Sequence, residues 1–251
     1  MKINGIEIPQ SASLILWAVL WEIVGQLKLT ILVPPLSATL LTLGELAQTE
    51  SFWSAIAITG HAFFWGSAIA IVVGVPLGIL MGRLPILDRL LLPWVNTFIS
   101  APLSALVPVI MALFGFGNTT IILTVVLFAI WIIILDARAG AHAISPSLVE
   151  MSRVYGASRF QAFRKIFIWS AMPEILTGIR MGMLRAVKGV IIGQLLVSIV
   201  GFGHLFEIYS SNFLMAHMWA ILIVLFGLAF TLDIALGQIE KRVEHFAASR
   251  S

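Results

Sequence analysis

The sequence contains no cysteine, which excludes disulfide frameworks, thiol nucleophiles and thiolate metal sites. Charge is scarce too: Asp, Glu, Lys and Arg make up 11% of the 251 residues, where a soluble domain carries about 25%. No Gly-x-x-x-x-Gly-Lys-Ser/Thr segment is present, so the chain lacks a loop able to cradle ATP phosphates. The histidines (His61, His142, His204, His217, His245) are dispersed without zinc-ligand spacing and form no acid–base cluster. Apolar residues, by contrast, make up 60% of the chain, and the mean hydropathy is +1.04. Such an excess has no aqueous surface to account for it, so the composition is that of an integral membrane protein. Soluble enzymes, nucleic-acid readers and disordered tails are set aside on that ground.

A helix needs roughly 20 mostly apolar residues to cross a hydrocarbon core about 30 Å thick. Runs of that length predict six spans, at about 14–33, 61–81, 90–113, 119–135, 181–200 and 217–236. Glu22 and Lys28 interrupt the first, and Arg185 and Lys188 the fifth, so five spans are the alternative. The N-terminus shows no short apolar core followed by a small-residue cleavage site, so the first span is expected to stay. Lys2, Arg83, Arg89, Arg138, Arg153, Arg159, Arg164, Lys165, Lys241, Arg242 and Arg250 all fall on one side of a six-span arrangement. The positive-inside rule makes that side the cytoplasm, places both termini there and favours six spans over five. Between the first two spans, Pro34 to Ser54 carries two carboxylates and no basic residue, and reads as a short external segment with some helix after Pro34-Pro35.

Gly74, Gly78 and Gly82 recur every four residues and clear one helix face for a neighbouring backbone, which is a packing signal. Pro76, Pro102 and Pro108 fall within spans and predict kinks or locally open backbone. Polar side chains within spans either bond neighbouring helices or line a cavity. The candidates are Asn96, Ser100 and Ser104, spaced four apart on the third helix, with Gln194 and Ser198 on the fifth. Lys188 either snorkels back to the cytoplasmic interface or faces the cavity, where it favours an anion. Glu22 reads as a structural partner or a proton relay.

The segment from Asp136 to Gly178 is the one sizeable non-membrane piece, with five Lys or Arg residues from Arg138 to Lys165, His142 beside them, and intermittent hydrophobicity. Ser147-Leu148-Val149-Glu150, after Pro146, has the spacing of a capping box, and Gly156 suits the left-handed close of that helix. Ser158-Arg159-Phe160-Gln161 repeats the spacing and opens a second helix, along which Phe160, Phe163 and Phe167 form an apolar stripe. Two short helices around a glycine turn are either a docking element or a loop laid on the bundle's own ends; composition leaves both open. A DNA-reading helix-turn-helix fits poorly on so short a membrane tether.

The stretch from Glu150 to Pro173 resembles the EAA motif of bacterial ABC importer permeases, with Glu150, Gly156 and Ile166 at the motif's places and the Gly156-Ala157-Ser158-Arg159 turn. Pro34-Pro35-Leu36-Ser37-Ala38, Pro102 to Pro108 before Phe114-Gly115-Phe116-Gly117, and Gly201-Phe202-Gly203 are similar to the nitrate/sulfonate/taurine branch, in the same order. Departures are Met151 and Ser152 for the two alanines, Trp169 where proline is usual, and Gln194 where glutamate is expected.

The resemblance implies an all-α, six-helix permease of the type I importer kind, multi-pass in the bacterial inner membrane. It implies a second permease copy, forming a homodimer, a cytoplasmic ATPase dimer that binds ATP and Mg, and an external solute-binding protein. The chain itself would hold no cofactor and perform no catalysis. Residues 136–178 would be the coupling loop, with Glu150 and Arg159 in polar contacts, Gly156, Ala157 and Ser158 forming the turn and Phe160 as an apolar anchor. The expected cargo is a small anion moved by alternating access. The same machinery carrying a neutral or cationic vitamin precursor or heterocycle is the alternative. A gradient-driven transporter or channel would call for charged groups paired at mid-membrane in repeated halves, and a membrane enzyme for clustered catalytic residues; the sequence offers neither.

Overall fold

The computed structural model describes residues 2–3, 6–7, 11–162, 168–197 and 200–248. Two-residue strands β1 (Lys2–Ile3) and β2 (Ile6–Glu7) pair antiparallel before an otherwise helical chain. The helices are α1 (Ser11–Gln26), α2 (Leu36–Leu46), α3 (Glu50–Arg83), α4 (Pro85–Ser100), α5 (Val107–Phe114), α6 (Asn118–His142), α7 (Pro146–Val154), α8 (Arg159–Ala162), α9 (Ile168–Val197), α10 (Gly201–Ser211) and α11 (Met215–Ala248).

The glycine row of α3 finds its partner in α6, and the two helices run parallel. A Cβ at Gly78 would lie 2.7 Å from Ala137 Cβ, and one at Gly82 would lie 2.6 Å from Ala141 Cβ. Only hydrogen fits there, so the backbones meet directly. Helix α9 packs antiparallel on an adjoining face of α6, again through glycines: Gly178 meets Asp136, and Gly193 meets Thr124. Packed against both, α6 supplies Ile121, Val125, Ala129 and Ile133 to a core shared with Ala62 and Ala70 of α3 and Ala186, Val190 and Val197 of α9.

Among the described residues, three unbroken helices are long and apolar enough to cross a membrane: Glu50–Arg83, Asn118–His142 and 215–238 of α11. Two bent pairs raise the count to five. The expected first span, 14–33, instead stops at Gln26; α1 has 16 residues, about 24 Å of helix, and counts as a shorter apolar helix. The chain turns back through Lys28, whose φ is 50°, and lays Pro34 and Pro35 against Gly25. Trp21 Nε1 donates to Pro34 O at 3.0 Å. Glu22 then serves the helix that Pro35 cannot cap: its carboxylate accepts from Ser37 N at 2.9 Å and Ser37 Oγ at 2.8 Å, at the positive end of α2. Of the two readings of Glu22, this geometry is the structural one.

The expected third span, 90–113, is broken. Pro85–Ser100 and Leu103–Phe114 meet at 99°. Pro102 withholds an N–H and drives Ala101 into extended backbone (φ −71°, ψ 149°), so α4 cannot continue. Pro76 leaves α3 continuous, and Pro108 sits at the tolerant start of α5. The fifth span runs from Ile168 through Val197 and bends by 52° into α10.

Gln194 pins that second bend. It is 1% exposed, its Nε2 donates to Thr59 Oγ1 at 2.9 Å, and Thr59 Oγ1 donates in turn to Ala55 O at 2.7 Å. Gly201, at φ +68°, packs directly on the Gln194 amide, as Gly203 does on its backbone. Gln194→Ala leaves Thr59 with only its bond to Ala55 O and opens a cavity between α3, α9 and α10. A loss of about 2–4 kcal/mol is expected, read as a lower unfolding temperature of the detergent-solubilised protein.

Candidate functional site

The segment between α6 and α9 is narrower than its composition suggests. Asp136–His142 completes α6 and 168–178 begins α9, so the loop proper is residues 143–167, of which 163–167 lie outside the described residues. The expected start of its first helix shifts by two positions: Pro146 is the first helical residue and Ser145 precedes it. Ser147 Oγ lies 2.6 Å from Ser145 Oγ, and the Ser147–Glu150 pair is two positions too late to cap. At the other end the glycine close forms as its sequence predicts. Gly156 has φ +74°, and Ala157 N donates to Ser152 O at 2.9 Å, the long bond of a Schellman motif. The second box also forms, with Gln161 N donating to Ser158 Oγ at 3.2 Å and Ser158 N to Gln161 Oε1 at 3.0 Å.

Ile144 (8% exposed) and Ser152 (4%) seat α7 on the bundle, while Ser147, Leu148, Glu150, Met151 and Val154 are exposed. Leu148, Met151 and Tyr155, spaced three and four apart, form an exposed apolar stripe that ends on Tyr155 at 84%, beside Val154 at 85%. Glu150, Gly156 and Ser158 are exposed and Ala157 half-buried. The side chains of Arg159 and Phe160, and all of Phe163, Ile166 and Phe167, lie outside the described residues. The stripe ending in Tyr155 is absent from the sequence reading, which followed the phenylalanines. The signal was available: apolar residues at helical spacing on a short helix with few apolar neighbours to bury them.

The pathway candidates separate. Asn96 and Ser100 are exposed on α4, but Ser104 lies beyond the 99° bend, so the three do not share one helix face. Spacing by four had assumed a helix that Pro102 interrupts. Gln194 faces the protomer interior with its amide engaged by Thr59, which removes it from any surface open to solute. Ser198 lies outside the described residues.

Lys188 is exposed on α9, in line with exposed Met181 and Leu195 seven residues to either side. A Cβ on its neighbour Gly189 would lie 3.0 Å from Phe128 Cβ and 3.1 Å from Thr124 O of α6. Gly178, level with Asp136, lies about 15 Å back along α9, farther than a lysine side chain reaches. The cation stands on the bundle surface, ten residues along α9 from the level of Asp136.

Parallel and antiparallel apolar helices joined through glycine faces, two broken spans and a capped loop exposing an apolar stripe define a polytopic membrane transport subunit. Residues 74–245 match the family described as binding-protein-dependent transport system inner membrane component, and the chain belongs to that family. It is 26% identical over 234 residues to the taurine transport system permease protein TauC of Escherichia coli (strain K12), covering 89% of this chain and 84% of that one. It is 29% identical over 210 residues to the glycine betaine/proline betaine transport system permease protein ProW of the same organism, covering 81% of this chain but only 56% of ProW. Its fold is similar to an inward-facing structure of the MetNI methionine ABC transporter, with a TM-score of 0.62 at 23% identity, covering 77% of this chain and 94% of that one. The chain is an inner-membrane permease subunit of an ABC importer.

Proposed function

We propose that this subunit forms the translocation pathway for a small anionic solute of the nitrate, sulfonate or taurine kind, together with a second copy of itself. A cytoplasmic ATPase dimer docks on the loop around α7 and α8, an external binding protein delivers the solute, and both termini lie in the cytoplasm. Glu150, Gly156, Ala157, Ser158, Arg159 and Phe160 belong to the ATPase contact, to which the exposed Leu148–Met151–Tyr155 stripe adds an apolar ridge. ATP and Mg stay with the partner.

The observation that carries the anionic reading is Lys188. An ammonium exposed to lipid deep within a span is costly, whereas the same group on a wet pathway face meets a counter-charge. A charge-assisted contact contributes about 1.5–3 kcal/mol. Lys188→Met is therefore expected to raise KM for a taurine or nitrate probe at least about tenfold in proteoliposomes holding the whole transporter. Unchanged uptake would remove the anion argument. ProW, named for betaines, supports a second reading, a neutral or cationic solute. In that case Lys188→Met leaves KM intact, and the exposed neutral groups of Asn96, Ser100 and Ser104 become the contacts to test.

A further inference from the structure

The coupling loop has two roots, α6 entering and α9 leaving, and the first is joined to the broken span. Arg138 lies one turn before the end of α6. Its Nη2 donates to Asp88 Oδ2 at 2.7 Å and its Nε to Asp88 Oδ1, a bidentate pair. Asp88 stands in the first turn of α4, where a carboxylate also meets the helix's unpaired N–H groups. The two side chains are 20% and 15% exposed, so solvent only partly screens them, and His142 Nε2 lies 3.8 Å from Asp88 Oδ2. Farther along, Val95 packs with Met81 and Ile134, and Phe98 stacks on Trp131 of α6 at 4.2 Å. Helix α4 is thus fastened along α6 up to the Ala101–Pro102 bend.

The other root carries a comparable pair: Arg180 of α9 donates to Asp233 of α11 at 2.8 Å. That helix is unbroken from Met215 to Ala248, so a displacement there moves a whole rod. A displacement delivered to α4 ends at a joint.

We propose that the Asp88–Arg138 pair delivers movement of the coupling loop to the broken span, making Asp88 a positioning residue that changes the angle at Ala101–Pro102 during transport. The inference rests on the loop being the ATPase dock. Because the chain has no cysteine, spin labels can be placed at Trp94→Cys and Val109→Cys, exposed residues on either side of the bend. The distance between them is read by pulsed electron resonance in nanodiscs holding the complete complex with its cognate ATPase, at rest and trapped with ATP and vanadate. The otherwise unaltered complex should shift between the two states. Asp88→Asn should lose the shift while ATP hydrolysis continues, Asp88→Arg combined with Arg138→Asp should restore it, and Asp233→Asn should keep it. A normal shift in Asp88→Asn overturns the proposal, as does equal loss in Asp88→Asn and Asp233→Asn, which would mean general loosening. If Asp88→Asn does not assemble, the charge-swapped variant decides: a shift supports the tether, and an assembled complex without one overturns it. If the unaltered permease binds no ATPase, the docking reading fails first and the tether falls with it.

Discussion

Gly156→Val is expected to cut binding-protein-stimulated ATP hydrolysis and solute uptake at least about tenfold while the permease still inserts and folds. Position 156 has φ +74° and open space around it, so the obstacle is conformational rather than steric crowding. A left-handed residue with a Cβ costs roughly 1–2 kcal/mol, and more when β-branched. The cheapest relief is to unwind the turn that sets α8 relative to α7, which breaks the Ala157–Ser152 bond and swings Ser158 and its cap away. A Cβ at position 156 meets nothing within 4 Å and the bundle core lies on α3, α6 and α9, so assembly is preserved. Gly156→Asn, which tolerates the left-handed region, should retain most activity. Stimulated hydrolysis at the normal level in Gly156→Val would mean the loop is not the lever.

Gly78→Leu is expected to prevent stable assembly altogether. A Cβ there would already lie 2.5 Å from Ile134 O and 2.7 Å from Ala137 Cβ, and a leucine has nowhere to go between two backbones. Overpacking a well-packed core costs typically 1–3 kcal/mol, and here the strain falls on main chain, which cannot rotate aside. Since α3, α6 and α9 share one core, pushing α3 away also disturbs the α6 core residues Ile133 and Ala129. The control lies in the same helix: Gly60 has nothing within 4 Å, so Gly60→Leu should be neutral or stabilising by up to about 1 kcal/mol. Size-exclusion profiles in detergent separate the two outcomes, and a monodisperse Gly78→Leu would refute direct backbone contact.

Reading from sequence succeeded where the signal is carried by a few adjacent residues. The Gly156 close and the Ser158–Gln161 box depend on hydrogen bonds spanning three to five positions, and both form. The Ser147–Glu150 box failed on the same scale, because Pro146 itself starts the helix. Ser104 was misplaced when a regular helix was assumed through Pro102. Gln194 looked like a pathway group because polarity within a span says nothing of which neighbour it meets; that neighbour, Thr59, is 135 positions away.

Composition and short-range pattern determined by themselves that the chain lives in a bilayer, that α3 presents a bare glycine face and that two capped helices flank Gly156. These follow from solvation and from bonds within one or two turns, which any isolated segment already obeys. Tertiary structure alone decided that α6 receives the glycine face, that Glu22 caps α2, that Gln194 is interior and that Lys188 is exposed on the bundle surface. Depth and facing are relations between segments far apart in the chain. They become defined only when close-packed backbones set one helix's level against another's.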